Sequence, residues 1–428
     1  HYCTQQIHKR DRKATVRTSH QYRRHRRGTR RHFQLSKIDD LIAKFCPNGV
    51  EFKTVASLFD IANGYTPSKS KSEFWNNGTI PWIRLEDIRA NGRILSEGIQ
   101  KVHSSAVRPS GAFAANSIII STLATIGEHA LVTVPFVANQ QITILTQRGS
   151  ALIPKFAFYY SFKLSEFCKA HTSTSGFASV NMKDFRKFRF PLPPLEIQYE
   201  IVKILDTFTE LEAELEAELE ARKKQYDHYR SDLFSLADIK EDRIRQIRIS
   251  DLCEISRGTV ISKDFLRRHG GIYPVYSSQT LNNGIFGYID TYAYEFESLT
   301  WTTDGANAGS IFYHQNEKFT ITNVCGLLRV KEGAGITTKY LFYILETLAP
   351  MYVSPGMGNP KLMAGAMSKI VIPVPPIEVQ RQIVETLGKY SLLITGTEEG
   401  IPAEIKARRR QYEYYRNKHL TFKPLDAA

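Results

Sequence analysis

Two stretches of this 428-residue chain, 182 residues apart, are near copies of one another. Pro191-Leu192-Pro193-Pro194-Leu195-Glu196-Ile197-Gln198 recurs as Pro373-Val374-Pro375-Pro376-Ile377-Glu378-Val379-Gln380. Further on, Ala221-Arg222-Lys223-Lys224-Gln225-Tyr226-Asp227-His228-Tyr229-Arg230 recurs as Ala407-Arg408-Arg409-Arg410-Gln411-Tyr412-Glu413-Tyr414-Tyr415-Arg416. One structural unit is used twice, so the fold must have internal pseudo-symmetry. The segments between the copies are unlike. A matched frame around two mismatched inserts fits a molecule that makes one partner contact twice and reads two different targets.

The inserts read as globular α+β domains. Residues 35–190 alternate short apolar runs such as Ser117-Ile118-Ile119-Ile120 with turn clusters such as Asn63-Gly64-Tyr65-Thr66-Pro67. Residues 241–372 follow the same outline, with Lys339-Tyr340-Leu341-Phe342-Tyr343 echoing Lys155-Phe156-Ala157-Phe158-Tyr159 and Gly309 matching Gly127. Between them, 191–240 should be helical after its diproline, which is tolerated only in a first turn. Ile197, Ile201, Ile204, Phe208, Leu211 and Leu215 recur at alternating spacings of four and three, which is a coiled-coil seam. Three consecutive Glu-Leu-Glu-Ala tetrads, 210–221, lie inside it. The last segment, 373–428, repeats the helix but carries Gly396, Gly400 and Pro402, so it should break in two. The two helical regions are expected to pack as an antiparallel coiled coil.

The net charge of +14 is misleading. Residues 1–31 hold eleven Lys or Arg against one acid, a net +10 that leaves only +4 for the rest. The basic tail, 1–34, reads as an unstructured or appended extension, with a nucleic-acid-binding arm as the alternative. Five isolated cysteines without a Cys-x-x-Cys pair, and no apolar export or membrane-spanning stretch, suit a reducing cytoplasm. No phosphate loop, dinucleotide fingerprint, zinc motif or nucleophile elbow occurs. The expectation is therefore no catalytic residue, no metal ligand and no cofactor held by this chain.

The twin Pro-Leu/Val-Pro-Pro-Leu/Ile-Glu-x-Gln openings, the Glu-Leu-Glu-Ala tandem and the twin Arg/Lys-Arg/Lys-Gln-Tyr-x-x-Tyr-Arg ends resemble those of type I restriction-modification specificity subunits. That resemblance covers about 35–422. It implies two target-recognition domains, each reading half of a split asymmetric site on double-stranded DNA, with the helices setting the gap and docking two modification (methyltransferase) subunits. S-adenosylmethionine would then be bound by those partners, and ATP and Mg by restriction subunits of the full complex. A coiled-coil assembly or scaffold protein with two interaction domains is the competing reading.

Candidate DNA contacts are polar and basic loop residues, since phosphate contacts position a protein and base-edge contacts specify the sequence. In the first domain they are Thr66, Ser68, Lys69, Lys71, Asn139, Gln140, Gln141, Ser173 and Thr174. In the second they are Arg257, Lys263, Ser277, Ser278, Gln279 and Asn307.

Overall fold

A computed structural model of the chain describes residues 32–173, 178–236, 239–396 and 398–425. Most of the basic tail lies outside them. The chain divides into two compact units, residues up to 214 together with those from 406, and residues 215–405.

In the first unit, after helix α1 (His32–Phe45), strands β1 (Phe59–Asn63), β2 (Ile94–Leu95), β3 (Ser117–Ser121), β4 (His129–Val132) and β5 (Ile142–Gln147) form a sheet. Its order is β1-β5-β3-β4-β2, antiparallel except where β2 runs parallel to β4. Every residue of the Ser-Ile-Ile-Ile-Ser strand β3 is buried, as a central strand covered on both faces requires. Helix α2 (Pro154–Ala170) packs on β3 and β4, its aromatic side chains Phe156, Phe158 and Tyr159 all buried. The 41-residue helix α3 (Leu195–Ser235) begins in this core with Ile197, Ile201 and Leu205.

The second unit rebuilds the same plan. Strands β6 (Cys253–Arg257), β7 (Ser298–Thr302), β8 (Ile311–His314) and β9 (Cys325–Val330) are ordered β6-β9-β7-β8, all antiparallel. Helix α4 (Thr338–Leu348) takes the place of α2, and helix α5 (Ile377–Thr395) contributes Ile383 and Leu387 where α3 contributes Ile201 and Leu205. Gly127 and Gly309 close equivalent turns at φ +90 and +86. Both units are stapled at the base by a short antiparallel ladder, Phe52–Thr54 with Arg189–Pro191 in the first and Arg245–Arg248 with Val371–Val374 in the second.

The repeated Gln is the strongest expression of the duplication. The Gln198 amide donates to Ala151 O at 2.9 Å and Pro193 O at 2.8 Å, and its Oε1 accepts from the Ile153 N–H at 2.8 Å. Gln380 donates to Gly335 O at 2.9 Å and Pro375 O at 2.8 Å, and accepts from the Thr337 N–H at 2.9 Å. Both side chains are fully buried. Each one ties the start of a frame helix to the residue preceding α2 or α4.

The last helical segment breaks as expected. Helix α5 ends at Thr395, the chain turns through Gly400 at φ +98, and helix α6 (Ile401–His419) resumes with Pro402 in its first turn. A Cβ at Gly396 would sit 2.0 Å from Glu399 O, so only glycine fits there. Within the first unit Phe208 of α3 stacks on Tyr415, and Glu212 accepts from Arg409 Nε at 2.5 Å. Within the second, Leu215 clusters with Ile401 and Ile405, and Tyr229 meets Tyr390 with ring centroids 5.3 Å apart. Residue numbers rise along α3 as they fall along α5 and α6, so the pairing is antiparallel. Leu215 and Leu219 of the Glu-Leu-Glu-Ala block line this seam, while Glu210, Glu214, Glu216 and Glu220 are exposed.

Candidate nucleic-acid interface

In the first unit four segments are laced into one backbone ridge at the end of the sheet. The Gly64 N–H donates to Ile142 O at 2.9 Å, and a Cβ at Gly64 would lie 2.1 Å from Asn139 O. Glycine is therefore what lets the 63–71 loop lie against 138–142. The Thr122 N–H donates to Gln141 O at 3.1 Å, and the Val180 N–H to Thr122 O at 3.0 Å. The ridge thus runs from 64–66 through 139–142 and 122–124 to 178–180.

Several candidates fall on this ridge together. The Thr66 hydroxyl donates to Gln140 Oε1 at 2.5 Å. The Asn139 amide donates to Gln141 Oε1 at 3.3 Å, and Asn139 Oδ1 accepts from the Gln141 N–H at 3.2 Å. Ser173 pairs with Ser179 in a short hairpin. Ser68, Lys69 and Lys71 are exposed on the 63–71 loop, which is tied back by Trp75 Nε1 donating to Ser68 O at 3.0 Å. Thr174 lies outside the described residues.

The second unit carries the same ridge. A Cβ at Gly258 would lie 2.0 Å from Ile321 O, the Thr303 N–H donates to Val324 O at 3.2 Å, and the Leu362 N–H donates to Thr303 O at 2.8 Å. The side chains differ throughout. Arg257 Nε donates to Asn323 O at 3.0 Å, and Ser277 Oγ accepts from Thr322 Oγ1 at 3.0 Å. The Ser278 hydroxyl donates to Val324 O and accepts from the Thr303 N–H, while the Gln279 amide donates to Ile285 O. Ser278 therefore spends its hydroxyl on joining the neighbouring 303 and 324 loops, and Gln279 spends its amide on holding its own loop. Asn307 is exposed and donates to Thr280 Oγ1 at 3.1 Å. Lys263 is exposed at the first position of a six-residue helix, away from this lacing.

Sequence reading missed Asn323. The parallel pairings Ile83 with Ala138 and Tyr276 with Ile321 place Asn323 where the first unit has Gln140. The available signal was Phe136 and Phe319 heading matching strand-like runs, which aligns the two loops.

The remaining chemistry is structural. Thr300, His314 and Glu317 form a hydrogen-bonded chain, with His314 Nε2 2.8 Å from Thr300 Oγ1 and Nδ1 2.5 Å from Glu317 Oε1. Thr300 and His314 are buried in the second unit, so the hydroxyl is shut off from any substrate. Burial pushes the thiols of Cys168, Cys253 and Cys325 up to about 12, which keeps them protonated and unreactive at neutral pH. Among the described residues no group of three or more His, Cys, Asp or Glu is placed to hold a metal ion, and no helix is long and apolar enough to cross a membrane.

The duplication is found as well by comparison with known proteins. The family model described as the type I restriction modification DNA specificity domain matches twice, at residues 47–221 and 242–407. The chain is 39% identical over 369 residues to the type I restriction enzyme EcoprrI specificity subunit of Escherichia coli, covering 82% of this chain and 90% of that one. It is 34% identical over 300 residues to the type I restriction enzyme MpnII specificity subunit of Mycoplasma pneumoniae, covering 56% of this chain and 90% of that one. In fold it is similar, with a TM-score of 0.60 at 18% identity, to a solved chain described under complex assembly and conformational transition of the type I R-M system; the match covers 87% of this chain and 98% of that one.

Proposed function

Because this chain belongs to the type I restriction-modification DNA specificity subunits, we propose that it reads a bipartite, asymmetric site on double-stranded DNA, one half through each unit. Target recognition is the family's role, and the specificity subunit is its non-catalytic member. The observation that carries the finer reading is the duplicated ridge, with backbone lacing that repeats and side chains that do not. Equal scaffolds bearing unlike side chains suit unlike half-sites. In this reading residues 35–190 and 241–372 are the recognition domains, 191–240 is the spacer and 373–428 its partner repeat.

The exposed cations Lys69, Lys71, Arg257 and Lys263 take phosphates, while Asn139, Gln140, Gln141, Asn307 and Asn323 face base edges. Thr66, Ser68 and Ser173 add polar contacts, and Ser277, Ser278 and Gln279 shape the second ridge. The duplicated helical frame seats two methyltransferase subunits, which bind S-adenosylmethionine. Restriction subunits of the full complex supply the ATP and Mg chemistry.

The Glu-Leu-Glu-Ala block then acts as a ruler. Each tetrad adds about 6 Å of helix, comparable with one or two base pairs of duplex at ~3.4 Å each. Its exposed glutamates would repel phosphate, which keeps that face off the DNA. The experiment is to sequence methylated adenines in cells expressing the chain with its modification partner, and to repeat it after inserting a fourth tetrad. A longer gap between unchanged half-sites is expected. An unchanged gap, or altered half-sites, would sink the ruler, and a single undivided site would sink the bipartite reading.

A further inference from the structure

Four of the five methionines fall between residues 351 and 367. Met367 is buried in the second unit's core, whereas Met351, Met357 and Met363 are exposed, with Tyr352 beside them. Met357 is fully exposed at the tip of a hairpin. Ser354 and Lys361 close that hairpin, each N–H donating to the other's carbonyl at 2.8 Å. Gly356 at φ +56 and Gly358 at φ +85 flank the methionine, and a Cβ at Gly356 would lie 2.5 Å from Asn359 O. Six residues, 355–360, make the turn, with Met357 at its exposed tip.

The hairpin is built into the recognition ridge. The Gly305 N–H donates to Pro360 O at 3.0 Å and to Asn359 Oδ1 at 3.1 Å. The Leu362 N–H bonds Thr303 O, and Leu362 O accepts from buried Trp301 Nε1 at 2.8 Å. A thin, unbranched apolar side chain is thus presented to water on a hairpin whose foot is tied to the ridge. Ordering it there gains nothing from burial within the chain. The apolar surfaces a duplex offers are the thymine methyls and the interior of a base step, and methionine is among the side chains able to enter the latter. Exposed Lys361 stands at the foot of the same hairpin, suited to the flanking phosphate.

We propose that Met357 is an apolar wedge that enters a base step in the half-site read by the second unit, unstacking it, with Lys361 on the neighbouring phosphate. The inference rests on the DNA-reading assignment above. The test uses the chain assembled with its methyltransferase partner on a duplex carrying the mapped site, with 2-aminopurine substituted at successive positions of that half-site. One position should brighten several-fold on binding. Met357→Ala should abolish the brightening and weaken binding about tenfold, the effect of losing part of a base-step contact, while Met357→Leu should retain both. Lys361→Ala should keep the brightening and reduce the salt dependence by about one phosphate contact. Tight binding with no position brightening would overturn the wedge and leave DNA reading intact. Weaker binding by Met357→Ala with the brightening unchanged would also overturn it, by moving the contact to a protein partner. Failure of the wild-type complex to bind the duplex would instead refute the reading on which the wedge rests.

Discussion

Gln198→Leu and Gln380→Leu should cost the same, although the loops they hold, 151–153 and 335–337, share little sequence. Each amide makes three hydrogen bonds to backbone groups, and corresponding distances agree within 0.1 Å. A buried hydrogen bond contributes about 1 kcal/mol net, and a stranded buried N–H costs about 1–3 kcal/mol. Leucine fills similar volume and recovers some apolar burial, so the expected loss is about 3 kcal/mol at each site. Urea unfolding followed by hydrogen exchange would assign each loss. Gln198→Leu should deprotect the start of α2, and Gln380→Leu the start of α4. A cost below about 1 kcal/mol at either site would refute the reasoning. So would full stability with lost methyltransferase binding, because the repeated Gln would then be serving a partner.

His129 is buried, its Nδ1 bonded to Gly127 O at 3.1 Å, and burial draws its pKa from 6.5 down to about 4. The unfolded chain takes up that proton first, so stability present above pH 6.5 should fall by about 3 kcal/mol as pH drops to about 4; His129→Leu should flatten this part of the pH profile of urea midpoints. Gly326 faces the Trp301 ring, where a Cβ would come within 2.2 Å of ring carbons, so Gly326→Ala should destabilise the second unit by about 1–3 kcal/mol or more. Thermal melts that leave that unit unchanged would contradict this. Lys69→Ala should weaken binding to every sequence and lower the salt slope by about one, whereas Asn323→Ala should relax a single position in one half-site, as methylation mapping would reveal.

The frame was legible because its residues answer to packing. The Ile197-to-Leu215 seam determines a long helix, and Gly396, Gly400 and Pro402 forbid its straight repetition, as the separate helices α5 and α6 bear out. The α+β class was legible from strand-length apolar runs between turn clusters. The inward role of Gln198 and Gln380 was not, since a repeated polar residue after a diproline looks like surface until its buried partners are known. Loop chemistry was harder still. Ser278 and Gln279 have the composition of base readers, yet their hydrogen bonds to Val324 O and Ile285 O turn those groups inward. Asn323 is aligned with Gln140 by the pairing of Tyr276 with Ile321, a register set by residues 45 apart, and in the sequence only by the matching runs that Phe136 and Phe319 head.

The short ladders at the base of each unit have an evolutionary consequence. Thr54 pairs with Arg189, and Arg248 with Val371. Paired residues across such a ladder stand about 5 Å apart, so everything between them leaves and re-enters the frame through one narrow doorway. Strain from a new sequence inside has two routes outward, this ladder and the core face of the frame helix, where Ile201 and Leu205 or Ile383 and Leu387 pack. A foreign segment exchanged for residues 55–188 or 249–370 must therefore keep the closing strands, a helix that packs on the frame as α2 or α4 does, and the backbone partners of Gln198 or Gln380. Under the proposed DNA-reading function, exchange of one such segment would change the half-site read and leave the duplicated frame in place.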